Sequence, residues 1–494
     1  MAQPEARAPA HLRRATSMAA ALVATACGVG PAYRVPRAPV PLAAHYKEAG
    51  WKVARPADAI PRGAWWTMFA QPELDALEAQ LAIANQTIVV AAESYLGARA
   101  LIRVAEAQYF PTLSLAASAA HGRSPGVVGA NPTTLTGGLS AGGGTTVGPF
   151  TSYILAGEAS WAPDLFGRVR YTVRQRRYTA QASAADLENV RLQMQAALAQ
   201  AYFQLRAQDA LQELLDATVA TNEEILALIR QRFDKGLENE ATLVQAEQTL
   251  EASRAQATNA GILRAQYEHA IAVLIGVPVS DFALPRRALL AAPPQIPTGA
   301  PSQLLERRPD IAAAERRMAA ANAAIGIGYT AYFPAITLTG VAGVASQAVR
   351  SLFDWQSRLW SAGGTLAQTV FDGGARAANI AVLTAQYDAT VADYRQTVLV
   401  AFQQVEDTLA QTRILVDVVE RQRNAVRLLE HGLDLERSRY AAGLDPYITL
   451  MTQQTAVLSA RQLLVSFEVQ RIVAAVQLVQ ALGGGWERQG LAHE

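Results

Sequence analysis

The sequence predicts a mainly helical chain that carries a transmembrane β-barrel portion, and it predicts that plan twice. Three observations carry the expectation. Gly167, Gly236 and Gly276 return as Gly374, Gly443 and Gly483, each displaced by 207 positions. Beside them lie two 68-residue stretches nearly free of Gly and Pro, and ahead of each stretch apolar residues alternate with small or polar ones. The same displacement pairs Arg232 with Arg439, Phe233 with Tyr440, Leu237 with Leu444 and Leu243 with Leu450, so one unit has been duplicated.

The long stretches come first. Residues 168–235 contain neither Gly nor Pro, and residues 375–442 contain only Gly432. As single helices they would each run about 100 Å. In the first, Leu187, Val190, Met194, Ala197, Ala201 and Leu205 step by three and four, the seam of a left-handed supercoil. Gln193, Gln200, Gln204, Gln208 and Gln212 lie off that seam and predict a wetted face. Thirty-nine residues separate Gly236 from Gly276 and Gly443 from Gly483, about 60 Å of returning helix. Each half therefore reads as a long helical hairpin turned at Gly236 or Gly443.

The alternating stretches predict strands. Leu113, Leu115, Ala117 and Ala119 alternate with Thr112, Ser114, Ala116 and Ser118. In the second half Ile336, Leu338, Ala342 and Val344 oppose Thr337 and Thr339. Period two over about ten residues is what a membrane strand requires. Return strands fit Ser152 to Trp161 and Trp360 to Phe371, with Trp161 and Trp360 as interface aromatics. Four strands cannot close a barrel, since about eight are needed, so strands must be pooled from several chains. The segment joining the first pair, His121 to Gly148, is Gly-rich; 55 positions run from Pro111 to Phe166 against 37 from Pro334 to Phe371, as expected of outward-facing loops.

Composition removes other classes. The 494 residues carry 43 Lys and Arg against 42 Asp and Glu, so no nucleic-acid surface is predicted. One Cys and six His exclude a disulfide framework and a thiolate zinc site, and no cofactor is expected. Gly138, Leu139, Ser140, Ala141 and Gly142 match a nucleophile-elbow pattern, but inside a Gly and Thr-rich loop rather than between strand and helix. Gly326, Ile327 and Gly328 are no dinucleotide loop, and no P-loop is present. An enzyme is therefore not expected.

The amino terminus reads as an export signal. Arg7, Arg13 and Arg14 precede an apolar run from Met18 to Ala26 that ends at Cys27. Two readings stay open: Cys27 as the lipid-modified first residue of a mature lipoprotein, or a free Cys in a signal cleaved elsewhere. Ala24 stands where lipoprotein signals usually carry Leu. Gly28, rather than Asp, after the Cys favours the outer membrane as the address.

With these elements in order, the sequence resembles the outer-membrane factors of tripartite efflux pumps, the TolC-like channel lipoproteins. The resemblance covers nearly the whole mature chain. It rests on Val29, Gly30, Pro31, Tyr33 and Pro36; Trp65, Trp66 and Phe69; Asp164, Leu165, Phe166, Gly167 and Arg168; Arg308, Pro309, Asp310, Ile311 and Glu315; and Phe371, Asp372, Gly373 and Gly374. It implies a homotrimer with a 12-stranded outer-membrane barrel, four strands per chain, continuous with a 12-helix periplasmic tunnel. It also implies a periplasmic adaptor and an inner-membrane RND-type pump as partners, with outer-membrane lipid around the barrel. The organisation that follows is a signal peptide over 1–26, a lipidated extended segment over 27–64, and a first repeat over 65–285. That repeat holds strands at about 111–121 and 152–161. A linker spans 286–308, a second repeat spans 309–485 with strands at about 334–345 and 360–371, and 486–494 form a tail.

By the same resemblance the turns form the periplasmic tip where an adaptor hairpin docks, through Arg232, Gly236, Leu237, Arg439, Gly443 and Leu444. Lys235 stands where the family usually has an apolar residue. The closed aperture maps to Ile448 and Thr452, the latter replacing a family Asp, with Asp445 and Glu238 as candidate mouth acids. A structural coiled-coil lipoprotein without channel activity is the competing reading, and the alternating strands argue against it.

Overall fold

The computed structural model describes residues 30–34, 64–124, 148–288, 293, 294, 296 and 308–484. Cys27, the expected signal peptide, the Gly138–Gly142 motif and the 486–494 tail lie outside the described residues. The elements, in chain order, are α1 (Pro72–Ala84), α2 (Gln86–Glu106), β1 (Thr112–Ser124), β2 (Gly148–Trp161), α3 (Arg168–Asp234), α4 (Glu240–Leu274), α5 (Pro309–Thr330), β3 (Ala335–Ser346), β4 (Arg358–Ala367), α6 (Ala375–Ala441) and α7 (Tyr447–Ala481). The expected hairpins are there: α3 and α6 have 67 residues each, α4 and α7 have 35 each, and every bound is displaced by 207. Gly432 does not interrupt α6; a Cβ there would come within 2.6 Å of the Gln453 amide, which donates to the Leu429 carbonyl of the same turn.

Two compact units form, each from separate stretches of chain. Among the described residues, one comprises 30–34, 97–124, 148–180 and 317–391. It contains a single antiparallel sheet in the order β1-β2-β3-β4, so β1 and β4 are both open edges. Three of the strands keep close to their expected bounds at the ends that join helices, but at the far ends β1 and β2 run beyond 121 and before 152. The reason is the ladder, which continues through His121↔Thr151, Gly122↔Phe150 and Arg123↔Pro149 into what reads as loop composition. β4 occupies 358–367 rather than 360–371: Arg358 still pairs with Val344, while Gln368 leaves the ladder and its side-chain amide donates to the Tyr332 carbonyl at 3.0 Å. In this unit Phe166 stacks on Phe333 at 4.9 Å, and Gly30 packs against Gly326 and Tyr171, whose hydroxyl accepts from the Gly30 amide at 2.8 Å.

The second unit comprises, among the described residues, 64–96, 181–288, 293, 294, 296, 308–316 and 392–484. Its core gathers Trp65, Phe69, Leu74 and Leu81 with Leu198, Tyr202, Phe203 and Leu205 of α3 and Val476 and Val479 of α7. α7 is apolar and long enough to cross a membrane by composition, yet Ala475, Val476, Leu478 and Val479 are buried in this core. Burial on α3 is also broader than the expected seam. Leu192, Ala196, Ala199, Tyr202 and Phe203 are buried, whereas Val190, Met194, Ala197 and Ala201 are only partly so. Gln212, expected on a wetted face, is buried and donates to Asp216 at 2.8 Å.

Inside this core the fully buried Arg206 donates to Glu73 at 2.5 Å, Asp209 at 2.8 Å and the Pro285 carbonyl at 2.8 Å. Arg264 completes the group on Asp209 at 2.7 Å and on the Leu284 carbonyl at 2.7 Å. A buried guanidinium is tolerable only when paired in this way, and the pairing ties residues 284–287 to α3.

Candidate functional site: the sheet face and the hairpin turns

Directly opposed residues of an antiparallel ladder project to the same face, so the register sorts every side chain of the sheet. One face collects Leu113, Leu115, Ala117 and Ala119 of β1 and Leu155, Ala159 and Trp161 of β2. It continues with Ile336, Leu338, Ala342 and Val344 of β3 and Trp360 and Leu366 of β4. The other collects Thr112, Ser114, Ser118, Ser152, Ser160, Thr337, Thr339, Ser361 and Thr365, together with Glu158, the one acid in the four strands, and with Phe150, Ile154, Val341 and Leu359 interspersed among them. Leu113, Leu115, Trp360 and Leu366 are between 65% and 81% exposed, so the apolar face is uncovered in a single chain. An uncovered apolar face on a sheet with two open edges is unstable in water and suited to hydrocarbon, provided the edges are paired. Trp161 sits at the helix-proximal margin of that face, where its indole N–H donates to the Tyr109 carbonyl at 2.9 Å, and Trp360 sits toward the far margin.

The two turns close the hairpins of the second unit. Gly236 has φ +72° and Gly443 φ +75°, the left-handed region that favours Gly. In each, the amide three residues past the helix reaches back: Leu237 N–H to Arg232 O at 2.8 Å, and Leu444 N–H to Arg439 O at 2.9 Å. Asn239 caps α4 by accepting from the Thr242 amide at 2.9 Å, while Pro446 starts α7 without a side-chain cap. These bonds leave Leu237 and Leu444 about two-thirds exposed, and a Cβ at either Gly would meet nothing within 4 Å.

The arginines of the turns have partners inside the chain. Arg232 lies 3.6 Å from Glu238, and Arg439 forms a two-pronged bond with Asp445 whose second prong is 3.1 Å. The Arg439 guanidinium holds the Asp445 carboxyl below the usual carboxylate range. Both candidate mouth acids are thus charge-compensated in place. Arg232 also lies over the Tyr440 ring at 5.2 Å, and Tyr440 meets Tyr447 at 6.0 Å, so a cation from the first hairpin rests on an aromatic pair of the second. Burial pushes the Tyr440 phenol above its ordinary value, and its hydroxyl has no hydrogen-bond partner. Ile448 is half exposed; Thr452, one turn on, donates its hydroxyl to the Ile448 carbonyl at 2.8 Å.

Sequence reasoning placed the turns and allowed these arginines carboxylate partners, but did not assign Glu238 and Asp445 to them. The signal was present, since Glu238 and Asp445 each follow their Arg by six residues across a Gly turn. It also missed the buried chain Gln454–Asn222–Ser253, with bonds of 2.9 Å each, that links α7, α3 and α4. Among the described residues no three His, Cys, Asp or Glu side chains gather as metal ligands.

Comparison with known proteins agrees with this geometry. The sequence profile of the outer membrane efflux protein family matches residues 75–277 and 300–484. The probable efflux pump outer membrane protein TtgC of Pseudomonas putida is 31% identical over 478 residues, 96% of each chain. Outer membrane protein OprJ of Pseudomonas aeruginosa is 32% identical over 94% of this chain and 95% of its own. Among solved structures, the outer-membrane channel OprN superposes with a TM-score of 0.81 at 28% identity, over 93% of this chain and all of that one. The Neisseria gonorrhoeae MtrE channel, in its open state, gives 0.77 at 26% identity, over 94% of this chain and 99% of that one. The apolar sheet face, the paired hairpins and these likenesses converge: the chain belongs to the outer membrane efflux protein family and has the TolC-like channel fold.

Proposed function

We propose that three copies of this chain close a passive outer-membrane duct, fed from a periplasmic adaptor and an inner-membrane pump, through which efflux cargo leaves the cell. The carrying observation is the sheet: four strands with an apolar face, a polar face and two open edges. Pairing β4 of one copy with β1 of the next removes every edge, and three copies supply twelve strands. The polar face with Glu158 then lines water and the apolar face meets lipid. The chain supplies a conduit and no reaction; energy comes from the pump partner.

The exposed Leu237 and Leu444 on Gly turns are the adaptor-docking surface, with Arg232 and Arg439 holding the turns in shape. Ile448 narrows the mouth with an apolar ring and Thr452 lies behind it, while Glu238 and Asp445 are already neutralised. Cys27 carries the lipid anchor. Support comes from Gly30, three residues on, which is fixed to Tyr171 in the same unit as the sheet, with Pro31 O accepting from Asn322 at 3.3 Å. Mass spectrometry of the amino-terminal peptide reads the acyl chains directly. Relatives are named for antibiotics, toluene and cations, so small organic toxicants and metal ions are the cargo to compare.

The test is purification in detergent followed by mass measurement and planar-bilayer recording. A trimer that conducts ions is expected. A monomer or dimer that needs no detergent overturns the proposal.

A further inference from the structure

The lipid face of the sheet does not end the same way at its two margins. At the helix-proximal margin it ends on Trp161, which is part-exposed and uncharged. At the far margin it ends on charge. By register Arg123 of β1 and Arg358 of β4 lie on the apolar face, one on each open edge, at the same end of the sheet. Arg350 stands between them in the β3–β4 connection, in a 3-10 turn with Val349 exposed beside it. Arg358 stacks on Trp355 at 4.1 Å, and Trp355 is 75% exposed. The acid in this connection is Asp354, which makes no side-chain bond at the start of its turn. Three guanidiniums against one carboxylate, set among exposed Val349, Phe353, Trp355 and Trp360, form a surface that is cationic at its crest and apolar below.

We infer that this margin binds the phosphate groups of the outer-leaflet glycolipid, lipid A, with its acyl chains lying on the apolar face beneath. The inference rests on the trimeric reading, because closing the barrel brings β4 of one copy beside β1 of the next. Arg358 and Arg350 of one chain then meet Arg123 of its neighbour across the seam, and three such sites arise per trimer. Charge complementarity selects the occupant: planar guanidiniums match phosphate in two-pronged fashion, and the stacked Trp355 keeps Arg358 extended without a competing carboxylate. A neutral headgroup leaves these cations unmatched at a membrane surface. The polar, water-lined face carries no arginine in the strands, so the cations are placed for lipid and not for cargo.

The test titrates the detergent-solubilised trimer with diphosphoryl lipid A, its dephosphorylated form and phosphatidylglycerol, reading bound lipids by native mass spectrometry and tryptophan fluorescence. Three diphosphoryl lipid A molecules per trimer are expected, with dephosphorylation weakening binding tenfold or more. Arg123→Ala with Arg358→Ala should remove the preference, and Arg358→Lys should restore only part of it. Equal binding of the dephosphorylated lipid, or an unchanged double variant that remains trimeric, overturns this site alone. Equal occupancy by phosphatidylglycerol overturns the glycolipid assignment in favour of any anionic lipid. A wild-type chain that is not trimeric overturns the duct reading, and the pooled site with it.

Discussion

Glu78 sits in the middle of the buried face of α1, fully shielded, with neither carboxylate oxygen hydrogen-bonded. Burial, reinforced by the nearby Asp75 carboxylate, pushes its pKa from 4.5 up to about 9. The folded state therefore holds a proton that the unfolded chain releases, so stability is fullest below about pH 4.5 and declines as pH rises toward 9. Replacing Glu78 with Gln removes that penalty. Denaturation followed at pH 6 and pH 9 should show Glu78→Gln more stable at both, by on the order of 1–3 kcal/mol at the higher pH, with a flatter pH dependence. A variant less stable than wild type at pH 9 would mean that the carboxyl makes a bond of its own. Nothing in the sequence announces this residue, because Pro72, Glu73, Asp75 and Glu78 read as an ordinary acidic helix start. The repeated Arg, Gly and Leu of the turns were legible because duplication prints them twice. Arg206 with Glu73, Asp209 and Arg264 was not, because its partners are up to 133 positions apart.

At the scale of elements, the helices were readable and the strand ends were not. A 68-residue interval without Gly or Pro leaves little choice but helix, and the left-handed Gly at each end marks where it stops. Strand ends depend on which backbone partners continue across the ladder, and composition carries little of that; Gly122, Gly148 and Pro149 pair as strand residues despite their type. The turns themselves invite a graded experiment. Gly236→Asn and Gly443→Asn retain access to the left-handed region and should cost a few tenths of a kcal/mol, whereas Gly→Val at either position should cost about 1–2 kcal/mol. Gly236→Trp and Gly443→Trp should leave a trimer in detergent, since space around each Cβ is open, yet abolish export in a complemented deletion strain. Undiminished export by both Trp variants would remove the turns from the docking surface.

For the whole molecule, the division between apolar and polar sheet faces decides how the protein meets its membrane. Leu115 and Ser114 are adjacent in sequence and opposite in environment. Leu115→Arg should cost about 2–4 kcal/mol if the residue lies near the bilayer midplane and should reduce the heat-resistant trimer recovered from outer membranes. Ser114→Arg should insert normally and instead alter ion selectivity in bilayer recordings. If the two variants behave alike, the faces are not segregated as the register indicates. The need for strands pooled from several copies was legible from strand number alone, because four strands cannot hide their edges. The charged far margin was not, since Arg123 and Arg358 gain their common level only from a pairing that places β1 and β4 at opposite edges of one sheet.

The equal lengths of the duplicated helices have a mechanical meaning. α3 and α6 each measure 67 residues and α4 and α7 each 35, while the two strand connections differ freely. Drift accumulated since duplication has therefore been absorbed by the outward loops and kept out of the rods. The rods act as matched rulers: a heptad lost from one hairpin would set its turn about 10 Å out of line with its twin, and only an equal cut in the other would restore a level edge.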